Sequence, residues 1–336
     1  MIFILLLVIG VFICIGYTIT VGSADIGFFE VYKILVNQIF PDAFDVGDRA
    51  DKIVVTTIRA PRVLMGVAVG MILATGGCIV QSVLRNPLAT PYTLGISSSA
   101  CFGAALAISF GLRMTNSTIA VIMSAFIFSM IPVSVILMAA ARRSVTPVTL
   151  VLCGVAISQV FSACNTILQY FASPETTKDI VFWAVGSLNE CSMWMVLYVG
   201  ITALVFVVAA LYLSRDLNIL KMGDDTAESL GINANNVRLI AIVIACVCTA
   251  VAVAFTGAIG FVCLISPQVC RIIIGGELKY LIPSSALVGA ILLIVADTIG
   301  RTVIAPTILP VGAITALVGG PLLVYMLMKR NNSMSV

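Results

Sequence analysis

The chain has 336 residues, of which 61% are hydrophobic and 10% are charged, and its mean hydropathy is +1.17. Ordinary soluble domains are about 45–50% apolar, so this composition excludes them and indicates a single all-α membrane domain over residues 1–336. The net charge of +3 comes from scattered basic residues, which excludes the clustered basic face of a nucleic-acid-binding protein.

Apolar runs long enough to form membrane helices recur along the whole chain. The first, residues 2–20, lacks a basic flank and a small-residue cleavage site, so we interpret it as a retained helix and not as a signal peptide. A span needs about 20 apolar residues, and punctuation by polar residues, proline and glycine predicts about ten helices, at residues 2–20, 63–84, 93–110, 118–140, 149–170, 194–213, 239–256, 259–274, 281–304 and 313–328.

Ten spans place both termini on one side, and the distribution of lysine and arginine predicts that this side is the cytoplasm. In that orientation ten basic residues face inwards: Arg85, Arg142, Arg143, Arg215, Lys221, Arg238, Arg271, Lys279, Lys329 and Arg330. Beyond the first external loop, three face outwards: Arg113, Lys178 and Arg301. The protein is therefore predicted to make multiple passes through a lipid bilayer with both termini in the cytoplasm.

Two longer polar segments interrupt the pattern. The external loop, residues 22–62, contains an amphipathic stretch at residues 26–40, which favours a helix lying at the membrane interface; a simple connector is the alternative. Residues 214–238 form the longest predicted cytoplasmic loop.

The residues that could carry chemistry are few. Histidine is absent and the ten cysteines contain no CxxC pair, so we predict no catalytic residue, cofactor or metal site. No GxxxxGK[ST] sequence is present, so the chain has no phosphate-binding loop for ATP. Asp297 and Arg301 are the clear charged residues within a span, and their i, i+4 spacing predicts an intramembrane ion pair.

Two short segments predicted to face the cytoplasm have unusual patterns. In Asp224-Asp225-Thr226-Ala227-Glu228-Ser229-Leu230-Gly231, the spacing of Asp225 and Glu228 matches a capping box, and Gly231 predicts the end of a short helix. The functional interpretation is a protruding helix held by a soluble partner, and the alternative is a solvated turn. In the segment from Arg85 to Pro91, two prolines exclude a helical connection, so either a gate or a tight turn fits.

The chain resembles, over nearly its whole length, the permeases of type II ABC importers for iron-siderophores, haem and vitamin B12. Each of the motifs is weak alone, but their order and spacing are specific: Arg59-Ala60-Pro61-Arg62, Gly76, Gln81, Arg85 to Pro91, Leu94-Gly95-Ile96-Ser97, Leu152-Cys153-Gly154-Val155, Phe182-Trp183, Gly186-Ser187-Leu188, Met222-Gly223-Asp224, Leu230-Gly231, Gly257 to Phe261, Ser266-Pro267, Ala296-Asp297, Arg301, Leu309-Pro310-Val311-Gly312 and Gly319-Gly320-Pro321.

The resemblance implies a homodimer around a central pathway, two cytoplasmic ABC ATPase subunits that hydrolyse ATP, and an external substrate-binding protein. It implies that the segment from Asp224 to Gly231 couples to the ATPase and that Asn86, Pro87 and Leu88 lie near a cytoplasmic gate. It also implies that three basic residues dock the binding protein, namely Arg59, Arg62 and Arg301, whereas snorkelling of Arg59 and Arg62 to lipid phosphates is the alternative. The resemblance further implies that the protein lies in the cytoplasmic (inner) membrane of a bacterium or archaeon.

Two positions depart from the family pattern and leave the cargo open. Gln268 stands where the family usually has histidine, and Ile308 stands where it usually has glutamate. The chelate could be an iron-siderophore, haem or a corrinoid, and importers of oxyanions such as molybdate or tungstate are similar. An ion-coupled secondary transporter is the alternative from another class, and a membrane-embedded enzyme is a third.

Overall fold

A computed structural model describes residues 1–22, 26–40, 43–44, 49–111, 118–142, 146–304 and 307–332 of the chain. All regular structure in this part is helical. The helices are, in chain order, α1 (Ile2–Thr20), α2 (Phe28–Ile39), α3 (Arg49–Ile53), α4 (Ala60–Val83), α5 (Ile96–Ser109), α6 (Thr118–Arg142), α7 (Pro147–Phe171), α8 (Pro174–Val185), α9 (Met193–Leu220), α10 (Asp224–Ser229), α11 (Ala234–Thr256), α12 (Val262–Ile274), α13 (Leu278–Thr302) and α14 (Val311–Asn332).

The ten predicted spans correspond to ten apolar helices. Within the described residues, seven of them are long and apolar enough to cross a membrane, and the remaining predicted positions are occupied by the shorter helices α5 and α12 and by the short apolar part of α14, Val311–Met326. The 13 residues of α12 measure about 20 Å, less than the ~30 Å hydrocarbon core. Such a short helix needs a non-helical extension buried in protein, which the segment from Gly257 to Phe261 provides.

The first long helix begins earlier than predicted. Helical structure runs without interruption over Ala50–Val83, whereas the prediction began at residue 63. Pro61 lacks an N–H and would break an α-helical ladder, but a π-helical stretch, Val54–Arg59, precedes it and changes the hydrogen-bond spacing there. The connection before the first long helix is therefore shorter than the predicted 22–62 loop, and residues 23–25, 41–42 and 45–48 of that loop lie outside the described part.

The amphipathic stretch of that loop does form a helix, α2. Val31 and Ile34 are fully buried, whereas Phe29 is exposed, and Tyr32 stacks on Phe12 of α1 with ring centroids 5.4 Å apart. One face of α2 thus packs on the protein. Its position at a membrane interface stays a prediction.

The cytoplasmic loop predicted at residues 214–238 is also shorter than expected. Helix α9 continues to Leu220 and α11 begins at Ala234, because Leu213, Leu217 and Leu220 bury one face of the extended α9. Only residues 221–233 connect these two helices, and α10 lies among them.

Helix α4 is the centre of the bundle, with α9, α11, α12 and α13 packed around it. The most apolar window of its helix is 83% buried, compared with 17% for α1 and α7. Close approach depends on glycine: a Cβ added to Gly70 would lie 2.4 Å from the carbonyl oxygen of Gly289 in α13, and one added to Gly77 would lie 1.8 Å from that of Cys263 in α12. Small residues at helix crossings are typical of membrane bundles.

Candidate functional site

The predicted site residues lie at two opposite ends of the bundle. Arg59 and Arg62 lie at the beginning of α4, and Arg85 follows its end. The 24 residues of α4 span about 36 Å. We call the end of the bundle that holds Arg59 and Arg62 the Arg62 end. The opposite end, where Arg85 lies next to Asp224, is the Asp224 end.

At the Arg62 end, Asp297 of α13 accepts hydrogen bonds from Arg62 of α4. The Nε of Arg62 lies 2.8 Å from Oδ2, and its Nη2 lies 2.7 Å from Oδ1, a bidentate arrangement. The predicted pair is also present, with Arg301 Nε 3.2 Å from Asp297 Oδ2. Asp297 is 3% exposed. The sequence predicted Arg301 as the partner of Asp297, but it gave no indication that Arg62, 235 residues away, forms the stronger contact.

The arginines at this end also bind the carbonyl end of α1. Arg59 Nη1 donates to the carbonyl oxygens of Ile19 and Thr20 at 2.8 and 3.0 Å, and Arg301 Nη2 donates to that of Thr18 at 3.1 Å. The last carbonyl groups of a helix lack partners within it, and positive charge is stabilising there. Arg59 and Arg301, both near the predicted outer side, therefore bind the end of α1, a structural role that the sequence did not reveal.

Burial limits what these arginines can contact outside the chain. Arg59 and Arg62 are 6% and 8% exposed, so their guanidinium groups point inwards. Docking of a binding protein by Arg59, Arg62 and Arg301 stays a prediction, and its physical basis at this site is long-range charge, since direct side-chain contact requires a rearrangement.

At the other end, α10 is a short helix with a well-defined stop, as predicted. Gly231 has a φ of +80°; its N–H donates to the Glu228 carbonyl, and that of Ile232 donates to the Ala227 carbonyl. This is the Schellman motif. The predicted capping box is wrong: α10 begins at Asp224 after Gly223, and no side chain caps it. Asp225 consequently lies inside the first turn and not at the N-cap position, so its carboxylate does not cap the helix.

Asp224 instead binds two arginines from other helices. Arg238 of α11 donates from Nη2 to both carboxylate oxygens at 2.7 and 2.8 Å, and Arg85 donates to Oδ1. Burial raises the pKa of Asp224, but the hydrogen bonds and charges of Arg238 and Arg85 outweigh it, and the pKa falls below its usual 3.8. Asp224 is therefore ionised at neutral pH. We call Arg85, Asp224 and Arg238 the Asp224 link.

The loop from Arg85 to Pro91 is irregular, as its prolines predicted. Arg85 has a φ of +50°, and the Asn86 N–H donates back to the Gln81 carbonyl at 3.1 Å. The Asn86 side chain accepts from the Leu88 N–H at 3.0 Å, which makes an Asx turn around Pro87. Leu88 is 43% exposed.

Gln268, one of the two departures from the family pattern, belongs to a polar chain next to this loop. Its Oε1 accepts from Arg271 Nη1 at 3.2 Å, and Arg271 Nη2 donates to Gln81 Oε1 at 3.1 Å. Arg271 thus links α12 to α4, and Gln268 is a neutral acceptor for Arg271 within α12.

Ile308, the other departure, lines a cavity of about 270 Å³ at the Arg62 end. Asp179 and Trp183, also in its lining, belong to α8, a helix that the sequence did not predict. The sequence feature that would have predicted α8 is its N-terminal cap, a serine followed by proline at the first helical position. In the structure, Ser173 Oγ accepts from the Thr176 N–H at 3.2 Å.

Helix α7 has a mixed free face, in which polar residues lie among exposed apolar side chains such as Leu152 and Val160. Gln159, Ser162 and Thr166 recur at i, i+3 and i+7 and are all exposed. The free face of α9 is apolar in contrast, with exposed Leu197, Ile201, Leu204, Val205 and Val208. An uncompensated amide in an apolar medium costs about 2–7 kcal/mol, so lipid fits the free face of α9 better than that of α7.

Comparison with known proteins shows that the chain is similar in sequence to membrane permeases of ABC transporters. The model of the FecCD transport family matches residues 6–329. A protein of Methanocaldococcus jannaschii named as an ABC transporter permease is 40% identical over 98% of this chain and 94% of its own length. The hemin transport system permease protein of Yersinia pestis is 35% identical over 83% of this chain and 84% of its own length.

A solved structure is similar over almost the full length. It is that of a metal-chelate type ABC transporter in an inward-facing conformation. It is 28% identical, has a TM-score of 0.85, and the match covers 97% of this chain and 98% of that one.

Proposed function

Because the chain belongs to the FecCD transport family and is a multi-pass permease of the inner membrane, we propose that it forms the translocation pathway of an ABC importer for a metal chelate. The cargo is an iron-siderophore, haem or a corrinoid. Hemin transport by one relative and the metal-chelate type of the similar structure support this class of cargo.

The observation that carries the proposal is the row of exposed polar residues on the free face of α7. Two copies of the chain, with this face of each turned to a shared axis, enclose a path lined by Gln159, Ser162 and Thr166. Such a path offers hydrogen-bonding groups to a bulky polar chelate and removes the same groups from lipid. The pathway is therefore complete only in a homodimer.

Thiol accessibility tests the pathway directly. In a background without native cysteines, we expect Gln159→Cys to react with a membrane-impermeant thiol reagent and to be protected by the chelate. Leu204→Cys on the apolar face of α9 is the control, and it should stay unreactive. Equal reactivity at the two positions contradicts a polar pathway along α7.

The energy source follows from the same family membership. We infer that two cytoplasmic ABC ATPase subunits hydrolyse ATP and bind α10, the coupling element from Asp224 to Gly231. Its exposed acidic side chains, Asp225 and Glu228, support a role as the partner-facing side.

Uptake into proteoliposomes tests the function as a whole. The permease, its ATPase and its binding protein are reconstituted, and uptake of a ferric siderophore, hemin, cyanocobalamin and molybdate is measured. We expect ATP-dependent uptake of one metal chelate that a protonophore does not reduce. Uptake driven by a proton gradient without ATP identifies a secondary transporter, and uptake of molybdate alone identifies an oxyanion importer.

The external binding protein is proposed to dock at the Arg62 end. Arg59, Arg62 and Arg301 lie together at this end, at the positions that the family resemblance assigns to docking, and their positive charges support attraction of an acidic surface. Charges that act at a distance change mainly the association rate. We expect Arg59→Gln to slow association and to weaken its salt dependence, because the substitution removes one positive charge. Glutamine is chosen because it can still donate to the α1 carbonyls. Lys279→Gln at the opposite end is the control, and equal effects of the two variants contradict docking at the Arg62 end.

A further inference from the structure

We propose that the Asp224 link transmits movement of α10 to the loop from Arg85 to Pro91, so that ATPase-driven displacement of α10 changes the cytoplasmic opening. This inference rests on the proposed function. It assigns a positioning role to three residues, Arg85, Asp224 and Arg238, that act through the loop and do not contact cargo.

The first step concerns how Arg85 is held. Its φ of +50° is in the left-handed region, which a non-glycine residue adopts at a cost. The side chain compensates: Nε and Nη2 donate to the Leu220 carbonyl at 3.2 and 2.8 Å, and Nη2 also donates to Asp224. The backbone at the beginning of the loop is thus stabilised by contacts to the end of α9 and the beginning of α10.

The second step concerns what Asp224 joins. It is the first residue of α10, and its carboxylate binds Arg85 after α4 and Arg238 of α11. Arg238 is only 2% exposed, so it is a fixed point in the bundle. Charge-assisted hydrogen bonds to arginine are strong and directional. Asp224 therefore connects the movable short helix both to the rigid bundle and to the loop.

The third step concerns the acids of α10. Asp225 and Glu228 are exposed, whereas the half-exposed carboxylate of Asp224 binds Arg85 and Arg238. One side of this helix can contact a soluble subunit while the other is tied to Arg85. A displacement of α10 must either carry Arg85 with it or break the ion pair, and loss of the ion pair removes a contact that holds φ of Arg85 positive. Both results alter the backbone immediately before Asn86 and Leu88.

Two variants test the link in the reconstituted importer. Asp224→Asn removes the charge. Arg85→Gly removes the side chain but keeps a residue that adopts positive φ without strain, so the loop conformation is preserved while the connection is lost. Glu277→Gln, which neutralises an exposed acid beside α13 at the same end, is the matched control.

We expect both variants to reduce the number of cargo molecules imported per ATP hydrolysed by about fivefold or more, the scale of a coupling between sites. ATPase binding should not change. Leu88→Cys reports the loop: with the link intact its thiol reactivity should differ between the nucleotide-free and ATP-trapped importer, and in both variants this difference should disappear. Glu277→Gln should retain both properties.

The outcomes separate this inference from the function on which it rests. If the unmodified importer shows no ATP-dependent uptake, the proposed function is wrong. If it imports cargo, and Arg85→Gly and Asp224→Asn keep its transport ratio and the nucleotide dependence at Leu88→Cys, the link does not transmit movement. Monodispersity in detergent identifies a misfolded variant, in which case the other variant decides.

Discussion

At the scale of single residues, the two arginine–aspartate groups have different exposure and therefore different functions. Asp297 is 3% exposed and has fixed partners inside the bundle, whereas the Asp224 side chain is 40% exposed. Removing one partner of a buried ion pair is strongly destabilising, because the other charge is left buried without a partner. In a half-exposed ion pair, solvent screens the attraction between the two charges. We interpret the first group as a clamp on α1, α4 and α13, and the second as a connection that can be broken during transport.

The clamp predicts a large loss of stability in Asp297→Ala. This substitution leaves Arg62 and Arg301 buried without their carboxylate, and breaking a buried ion pair in this way costs about 3–5 kcal/mol. Thermal unfolding of the purified permease in detergent measures the effect. Glu228→Gln, which removes an exposed acid, should leave the melting temperature nearly unchanged, and similar melting temperatures for the two variants contradict the clamp.

At the scale of elements, helix contacts in this bundle depend on positions without side chains. Gly77 of α4 faces the carbonyl of Cys263 in α12, and Gly70 faces that of Gly289 in α13. The same residue type has another role at Gly231, where it provides the positive φ that ends α10. The first role depends on close packing and the second on backbone conformation.

Close packing predicts that Gly77→Ala is destabilising. The added Cβ would lie 1.8 Å from the Cys263 carbonyl oxygen, so α4 and α12 must separate, and overpacking of this kind costs about 1–3 kcal/mol. The control is Gly200→Ala in α9, where nothing lies within 4 Å of the added atom. The melting temperature in detergent should fall only for Gly77→Ala. If Gly77→Ala melts at the same temperature as Gly200→Ala, α12 moves away from α4 without a loss of stability, which contradicts the prediction.

The helix stop predicts that Gly231→Val uncouples hydrolysis from transport. Valine disfavours a φ of +80° although space for it exists, so the end of α10 changes shape. Gly231→Asn keeps a residue that tolerates the left-handed conformation and should retain coupling. Simultaneous measurement of ATP hydrolysis and uptake distinguishes the two, and full coupling in the valine variant excludes a mechanical role for this stop.

At the scale of the whole molecule, the two ends must face opposite sides of the membrane for the proposed transport cycle. In the proposed orientation, the Asp224 end faces the ATPase, and the Arg62 end with α8 faces the binding protein. This orientation rests on the basic residues of the sequence. Two of them, Arg113 and Arg143, lie outside the described residues, as does the tail at 333–336, and the described helices are compatible with either direction.

Topology is tested by labelling intact cells. In a background without native cysteines, Glu175→Cys on α8 should react with an impermeant reagent added from outside. Met222 lies next to α10 and is 73% exposed. A cysteine at this position, Met222→Cys, should react only after the membrane is permeabilised. The reverse pattern inverts the orientation and removes the basis for placing the ATPase at α10.

Much of the architecture is local and could therefore be predicted from the sequence. Ten apolar runs correspond to ten apolar helices, because a helix satisfies the backbone hydrogen bonds of an apolar segment within that segment. The stop at Gly231 and the irregular loop after Arg85 followed from the conformational limits of glycine and proline. The ordered motifs along the chain indicated the family before any contact was known.

The tertiary structure decided which of these elements act together. Arg62 meets Asp297 across 235 residues, and Asp224 binds Arg85 and Arg238, two partners that the sequence did not predict. A side chain within a helix has several possible partners, and the choice depends on which helix faces it and at which depth. Packing of α4 against α9, α11, α12 and α13 sets these depths, so the internal clamp and the proposed link could be recognised only in the folded chain.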